Sequence, residues 1–194
     1  VWDVETGELM QRLFSLGQQS VSRVMVSPDG NTAITAGSGG LRFWDITENA
    51  TAQVFEGHDA EINYQIVVSP DGKKAISTAF SFSGGVNEAI LWDTSTFEVI
   101  HRLPGFFLGA EFLPDGRSAI LGGDVTAALE ENPEMLLVHW DIESGEELNR
   151  KESADISVVL DIALSPDGSS FYFVSLWTHM FQFDIETFTE LKSF

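Results

Sequence analysis

Apolar and polar side chains alternate with a period of two over residues 21–26, where Val21, Arg23 and Met25 stand against Ser22, Val24 and Val26. That is the pattern of a buried strand, and Ser27-Pro28-Asp29-Gly30 ends it. Proline pre-sets the backbone angle of a turn, aspartate bonds the local amides and glycine accepts a positive angle, so the tetrapeptide predicts a hairpin. Further strands are predicted at 32–36, at 41–44 after the break from Gly37 to Gly40, and at 51–55. Four short antiparallel strands thus make one unit of about 42 residues.

The same order recurs. A second unit has strands at 63–69, 74–79, 89–92 and 98–103, a third at 106–113, 118–121, 136–140 and 148–151, and a fourth at 156–164, 170–176, 179–184 and 190–194. Ahead of them the chain opens with Val1, Trp2 and Asp3 as the tail of a strand, a turn at Glu5-Thr6-Gly7 and a further strand over 8–14. Two segments between second and third strands break the regularity: residues 80–88 in the second unit and 122–134 in the third. The middle of the longer one, 125–131, is predicted to form a helical turn ended by Asn132 and Pro133. Long loops cost little chain entropy and, on a rigid scaffold, often carry function.

Fixed marks punctuate the units. Trp2-Asp3, Trp44-Asp45, Trp92-Asp93, Trp140-Asp141 and Phe183-Asp184 follow one another at spacings of 42, 48, 48 and 43 residues, and Pro-Asp-Gly begins at Pro28, Pro70, Pro114 and Pro166. Such a period signals a repeat architecture. Each unit exposes both faces of a small sheet, so neighbours must stack face to face, and a ring of sheets is the closed solution. With Gly57-His58 ahead of a first strand, these motifs resemble the WD-repeat β-propeller family over essentially the whole chain.

The resemblance implies an all-β fold with a partial blade at 1–16 and complete four-stranded antiparallel blades at about 17–56, 57–104, 105–152 and 153–194, a single propeller segment of a larger ring. It also implies structural roles for Trp2, Trp44, Trp92 and Trp140, for Asp45, Asp93 and Asp141, for Pro28, Pro70, Pro114 and Pro166, and for His58. This chain departs from the family in two ways. Gly-His occurs once, and the family's aspartate before the third strand, bonded to that histidine, is missing from the equivalent turns Ser38-Gly39-Gly40, Gly85-Val86-Asn87, Glu134 and Trp177-Thr178. An incomplete polar network is therefore expected throughout, with blades held mainly by Ile34, Phe43, Ile76, Ile90, Ile120, Val138, Phe173 and Phe181. Opening within a strand is expected of a piece of a longer polypeptide whose further blades close the ring; the alternative is two copies completing one another.

Composition narrows the chemistry. A content of 43% hydrophobic and 11% aromatic residues over 194 positions supports a buried core and argues against disorder. No apolar run approaches the roughly 18 residues of a membrane helix, and no secretory leader is evident. The absence of cysteine excludes disulfides, thiolate metal sites and cysteine nucleophiles, and a cytoplasmic location is the expectation. Thirty acidic against ten basic residues give a formal charge of -20, which repels phosphates and anionic lipids, so neither nucleic acid nor membrane is expected as a partner. A basic partner and simple solubility are the two readings of that charge.

Reactive constellations are not found. His58, His101, His139 and His179 fall in different blades and positions, so no shared metal is expected. No HExxH, GxSxG or phosphate-loop motif occurs, and Gly37 to Gly40 is a turn without a following helix or lysine. Asp124, Glu130, Glu131 and Glu134 match no calcium loop and read as solvated carboxylates. Phe80 and Phe82 either tuck under a neighbouring blade or present an anchor to a partner. In the family, the loops joining second to third strands share a face that commonly meets partners, which implies a combined surface of Phe80, Phe82, Asn87, Glu88, Asp124, Glu130, Glu131 and Asn132. The expectation is a non-catalytic protein-binding or sensor module of a larger multidomain protein, without cofactor or metal, whose partner is another protein or domain, including the rest of its own chain. Two rivals stay open: a self-associating half ring whose partner is another copy, and an enzyme on a propeller scaffold.

Overall fold

The computed structural model describes the chain except residues 14–19, 38–39, 48–51, 56, 59–61, 82–84, 126–133 and 177–178, and the described residues form strands and turns without a helix. The first sheet holds β1 (Val21–Val26), β2 (Thr32–Gly37), β3 (Gly40–Asp45) and β4 (Ala52–Phe55). The second holds β5 (Ile62–Val68), β6 (Lys74–Phe80), β7 (Glu88–Asp93) and β8 (Val99–Pro104). In the third are β9 (Phe106–Phe112), β10 (Ser118–Asp124), β11 (Met135–Asp141) and β12 (Glu147–Ser153), and in the fourth β13 (Val159–Leu164), β14 (Ser170–Ser175), β15 (Met180–Asp184) and β16 (Glu190–Ser193). Each sheet is antiparallel, with its strands in chain order, as propeller blades require.

Two expectations need correction. The opening strand over 8–14 reduces, in its described part, to an isolated bridge between Trp2 and Leu9, and Trp2 is 64% exposed, so it does not share the packing of Trp44, Trp92 and Trp140. The alternating residues of β1 are not buried: Val21, Val24 and Val26 are each more than half exposed. Among the described residues no sheet covers that face. The predicted helical turn at 125–131 lies, except for Val125, outside the described residues.

What holds the sheets is a front face laid on a back face. Trp92 of the second sheet packs with Ile34, Ala36 and Leu41 of the first, Trp140 of the third with Val67, Ile76 and Leu91 of the second, and Phe171, Phe173 and Phe183 of the fourth with Ile120, Met135 and Leu137 of the third. Burying each such side chain is worth about 1.5–3 kcal/mol. Cross-strand pairing makes room for the rings: Trp44 stands opposite Ala33, Trp92 opposite Ala75 and Trp140 opposite Ala119. Where the tryptophan shrinks to Phe183, its partner grows to Phe171.

Two hairpins of each sheet, from first to second and from third to fourth strand, lie at one end, and aspartates build them. In the first type, the Asp29 carboxylate accepts from the Ser27 hydroxyl and the Asn31 amide, while the Ser27 hydroxyl also closes the turn to Thr32; Ser69-Asp71 and Ser165-Asp167 repeat this. In the second, the carboxylate ending the third strand accepts from amides and a hydroxyl two or three residues on: Asp93 from Ser95 and Thr96, Asp141 from Glu143 and Ser144, Asp184 from Thr187. These bonds favour the ionised form, so the carboxyls titrate below their ordinary range; for Asp167, whose hydroxyl partner Ser165 matters most, the value falls to about 2. The fourth residue after this aspartate is left-handed, and it is Gly7 or Gly145 in two turns but Phe97 (φ 64) or Phe188 (φ 56) in two others. Ring packing offsets that strain, since Phe97 meets Phe43 at 5.0 Å and Phe188 meets Phe171 at 5.4 Å. Between sheets, the proline of one hairpin sits against the glycine of the next: Gly72 faces Pro28, Gly116 faces Pro70 and Gly168 faces Pro114.

The hydroxyl that meets the indole on the front face is present in the first two sheets and absent from the last two. The Trp44 indole donates to Thr35 at 2.9 Å and the Trp92 indole to Ser77 at 2.7 Å. At the place of Thr35 and Ser77 the third sheet has Leu121, and the Trp140 indole nitrogen is buried without a hydrogen-bond partner among the described residues. In the fourth sheet both places are phenylalanine, Phe173 and Phe183. An unpaired buried donor costs about 1–3 kcal/mol. Trp92→Phe should therefore destabilise the fold by roughly 2 kcal/mol more than Trp140→Phe, because both lose a similar volume and the second also removes an unpaired donor. Denaturant titration of the two variants checks this; equal losses would mean that the Trp140 nitrogen is paired.

Candidate interaction face

The opposite end of every sheet carries the loops from second to third strand and from each sheet to the next. Both long loops spring from clamped bases. The Ser81 amide donates to the Asn87 side-chain oxygen at 2.9 Å and the Gly85 amide to the Ser81 hydroxyl at 3.0 Å. In the third sheet the Glu134 amide donates to the Asp124 carboxylate at 3.0 Å, and the Val125 amide to the Glu134 carbonyl at 3.1 Å. Gly123 fits there because a side chain would meet the Phe106 carbonyl of the neighbouring strand.

Several residues expected to touch a partner are supports instead. Phe80 ends β6, is 7% exposed, and packs with Phe106, Leu108 and Val158; burial withdraws it from any contact surface. Asp124, at 1% exposure, is spent on the Glu134 amide, and Glu88 is buried in an ion pair with Arg102 at 2.7 Å. Asn87 is half-buried and serves the Ser81 amide. Phe82, Glu130, Glu131 and Asn132 lie outside the described residues, as do the turns at Ser38-Gly39 and Trp177-Thr178.

Glu88 stands beside the polar network of the second sheet, which lacks one bond, at His58 Nδ1. The Ser77 hydroxyl takes the Trp92 indole N–H and lies 2.6 Å from His58 Nε2, while His58 Nδ1 lies 3.5 Å from the Glu88 carboxylate. That last pair is close but off hydrogen-bond geometry, because Arg102 takes the same carboxylate oxygen and also donates to the Gly57 carbonyl at 2.8 Å. Burial, with the Arg102 charge second, lowers the His58 pKa to about 4, so the ring is neutral at pH 7. Its contribution to stability is complete above pH 6.5 and is lost as pH falls towards 4. The other histidines stay apart: His139 bonds the Ser118 hydroxyl, His101 faces the Glu143 carbonyl, and His179 is exposed. Among the described residues no group of three or more His, Asp or Glu is placed to hold a metal ion.

The first strands supply what sequence reading missed. In each sheet the first strand slips by one residue near its loop end, leaving Ser22, Tyr64, Leu108 and Leu160 as the extra residues of four equivalent bulges. A bulge re-aims its side chain, and Tyr64, Leu108 and Leu160 join Phe80, Phe106, Val158 and Leu176 in one apolar cluster. Next to them, Gln65 of β5 donates to Asp161 of β13 at 3.4 Å, past Gly109 of β9, against which the Asp161 backbone packs. Glu111 lies near Asp161; burial, and then the Asp161 charge, push its carboxyl up to about 7.

Glu111 therefore favours folding when protonated, an effect complete below pH 4.5 and lost as pH rises through 7. Glu111→Gln should make the protein about 1–2 kcal/mol more stable than wild type at pH 8, after discounting for the exposed part of the side chain, and leave it unchanged at pH 4. Denaturant titrations at both pH values measure this, and an equal effect at the two would remove the assigned protonation.

A family model described as WD domain, G-beta repeat matches residues 10–45, a span that takes in β1, β2 and β3 and closes on Trp44-Asp45. The match supports a WD-repeat family, and the four-stranded antiparallel sheets are consistent with propeller blades. No curated protein matches the chain. WD repeats generally mediate protein–protein interaction and are typically non-enzymatic scaffolds.

Proposed function

On the premise of a WD-repeat fold, we propose that the chain is a non-catalytic protein-binding or sensor module of a larger multidomain protein, meeting its partner with the loop end of its sheets. The observation that carries this reading is the pair of clamped loop bases on adjacent sheets, at Asn87 and Asp124. Rigid bases fix where a loop leaves and rejoins its sheet and so reduce the ordering cost of binding. The contact itself then falls to the exposed Val86 and to Phe82, Glu130, Glu131 and Asn132 within the loops, with Phe80, Glu88 and Asp124 as supports. Val86→Asp combined with Glu130→Lys and Glu131→Lys should reduce captured partner at least tenfold in quantitative affinity purification. Glu143→Lys with Glu186→Lys, at the hairpin end, should leave capture unchanged. The reverse pattern would place the interface at the hairpin end.

Self-association has an observation of its own. Val24, Val26 and Val54 are exposed on the first sheet, and Val174 is exposed on the fourth beside a small apolar cleft of Ala163, Tyr172 and Met180. Under this reading the chain is a dimer in solution, and Val24→Asp with Val174→Asp converts it to monomer. Mass measurement by light scattering decides; a wild-type monomer at high concentration removes the reading.

A further inference from the structure

Bulges at the same place in four first strands raise the question of what they aim at. Three of the extra residues are large and apolar and converge, while Leu108 lies beneath, 4% exposed. Tyr64, Leu160 and Leu176 keep part of their surface open above it. Aromatic contacts stiffen the floor, with Tyr64 and Phe80 ring centres 5.9 Å apart and Phe80 and Phe106 5.2 Å apart. The Arg23 guanidinium covers the Tyr64 ring from the first sheet at 5.2 Å. A half-open apolar patch on a preorganised floor fits one inserted side chain.

The charge beside the patch selects what accompanies that side chain. Asp161, next in sequence to Leu160, is exposed and accepts from the Ile162 amide and from Gln65, both neutral donors. Glu111 adds a second carboxyl close by. Among the described residues neither carboxyl forms an ion pair, and the chain as a whole carries -20. A cation next to the inserted side chain would meet the Asp161 carboxylate, while Arg23 stands at the Tyr64 side of the patch.

We propose that this patch, made of Tyr64, Leu160 and Leu176 and bordered by Asp161, docks a protein segment carrying one apolar anchor beside a lysine or arginine. The proposal rests on the loop-end interface above and names the chemistry of its partner. Anchor burial supplies most of the affinity, and Asp161 supplies orientation and the preference for a basic neighbour.

The test is selection of a random dodecapeptide display library on the immobilised protein, followed by methyl NMR of the protein with one enriched peptide. Enriched sequences should share Leu, Phe or Trp next to Lys or Arg, and that peptide should shift the Leu160 and Leu176 methyls. Leu160→Ser and Asp161→Asn should each weaken it at least tenfold, whereas Glu143→Gln, at the opposite end, should not; melting of the Asp161→Asn protein checks that its fold is intact. Enrichment of acidic or wholly polar peptides, or equal weakening by Glu143→Gln, would overturn the proposal. Shifts confined to residues 85–88 and 134–135 would overturn it while sparing the loop-end interface. Shifts at the hairpin end, or no enrichment over a blank surface, would remove both.

Discussion

Everything in this fold depends on one constraint: a four-stranded sheet that is apolar on both faces cannot stand alone in water. Its only relief is to lay its front on the back of the sheet before it, and the chain repeats that contact between successive sheets. The strand register follows from this contact, because slipping by one residue would turn Ile34, Ile76 and Ile120 from the covered back face to the front. The alanines opposite the tryptophans follow too. A larger residue at Ala75 or Ala119 would hold the sheets apart at the ring, and the fourth sheet affords Phe171 at that place only because Phe183 is smaller than tryptophan.

Trp44 and Trp92 bring their polar group into this core as half of a pair. The tryptophan supplies a large surface for the neighbouring sheet but brings an N–H that must be satisfied, and a hydroxyl on the second strand satisfies it at Thr35 and Ser77. The third sheet keeps the indole and gives up the hydroxyl; the fourth gives up both. The second sheet goes furthest the other way, adding His58, Glu88 and Arg102 to its pair. Its long loop rises from Phe80 and ends at Glu88, so the most elaborate polar network stands at the foot of that loop.

Much of this was legible in the sequence. Strand positions follow the two-residue alternation, and hairpins follow Pro-Asp-Gly and Trp-Asp, because those residues dictate backbone angles and local bonds within a few positions. Ile34, Ile76, Ile90, Ile120 and Val138 were readable as core and are fully buried. What escaped depends on distant residues. Glu88 looks like a loop acid until Arg102, on the adjacent strand, takes its carboxylate, and Tyr64 looks like any strand aromatic because a bulge without glycine or proline leaves no local mark. The exposure of Val24 and Val26 escaped for the same reason, since alternation reports that a face is apolar and says nothing of what covers it.

The two ends of each sheet have different obligations, and that difference is an argument about where function sits. At the hairpin end, nine of the thirty acidic residues, Asp3, Asp29, Asp45, Asp71, Asp93, Asp115, Asp141, Asp167 and Asp184, accept backbone amide bonds within their own turns. Part of the net charge is thus the by-product of building turns and need not advertise a basic ligand. These carboxylates also hold their turns in one shape, and prolines lock neighbouring hairpins together, so that end has little freedom to vary without loss of stability. At the loop end the repeats differ: the bulge residues are Ser22, Tyr64, Leu108 and Leu160, the loops differ in length, and Glu111 and Asp161 stand close together without ion-pair partners among the described residues. Stability tolerates change there because the stacking contact is complete without it, and that tolerance lets a repeated scaffold carry a single distinctive surface.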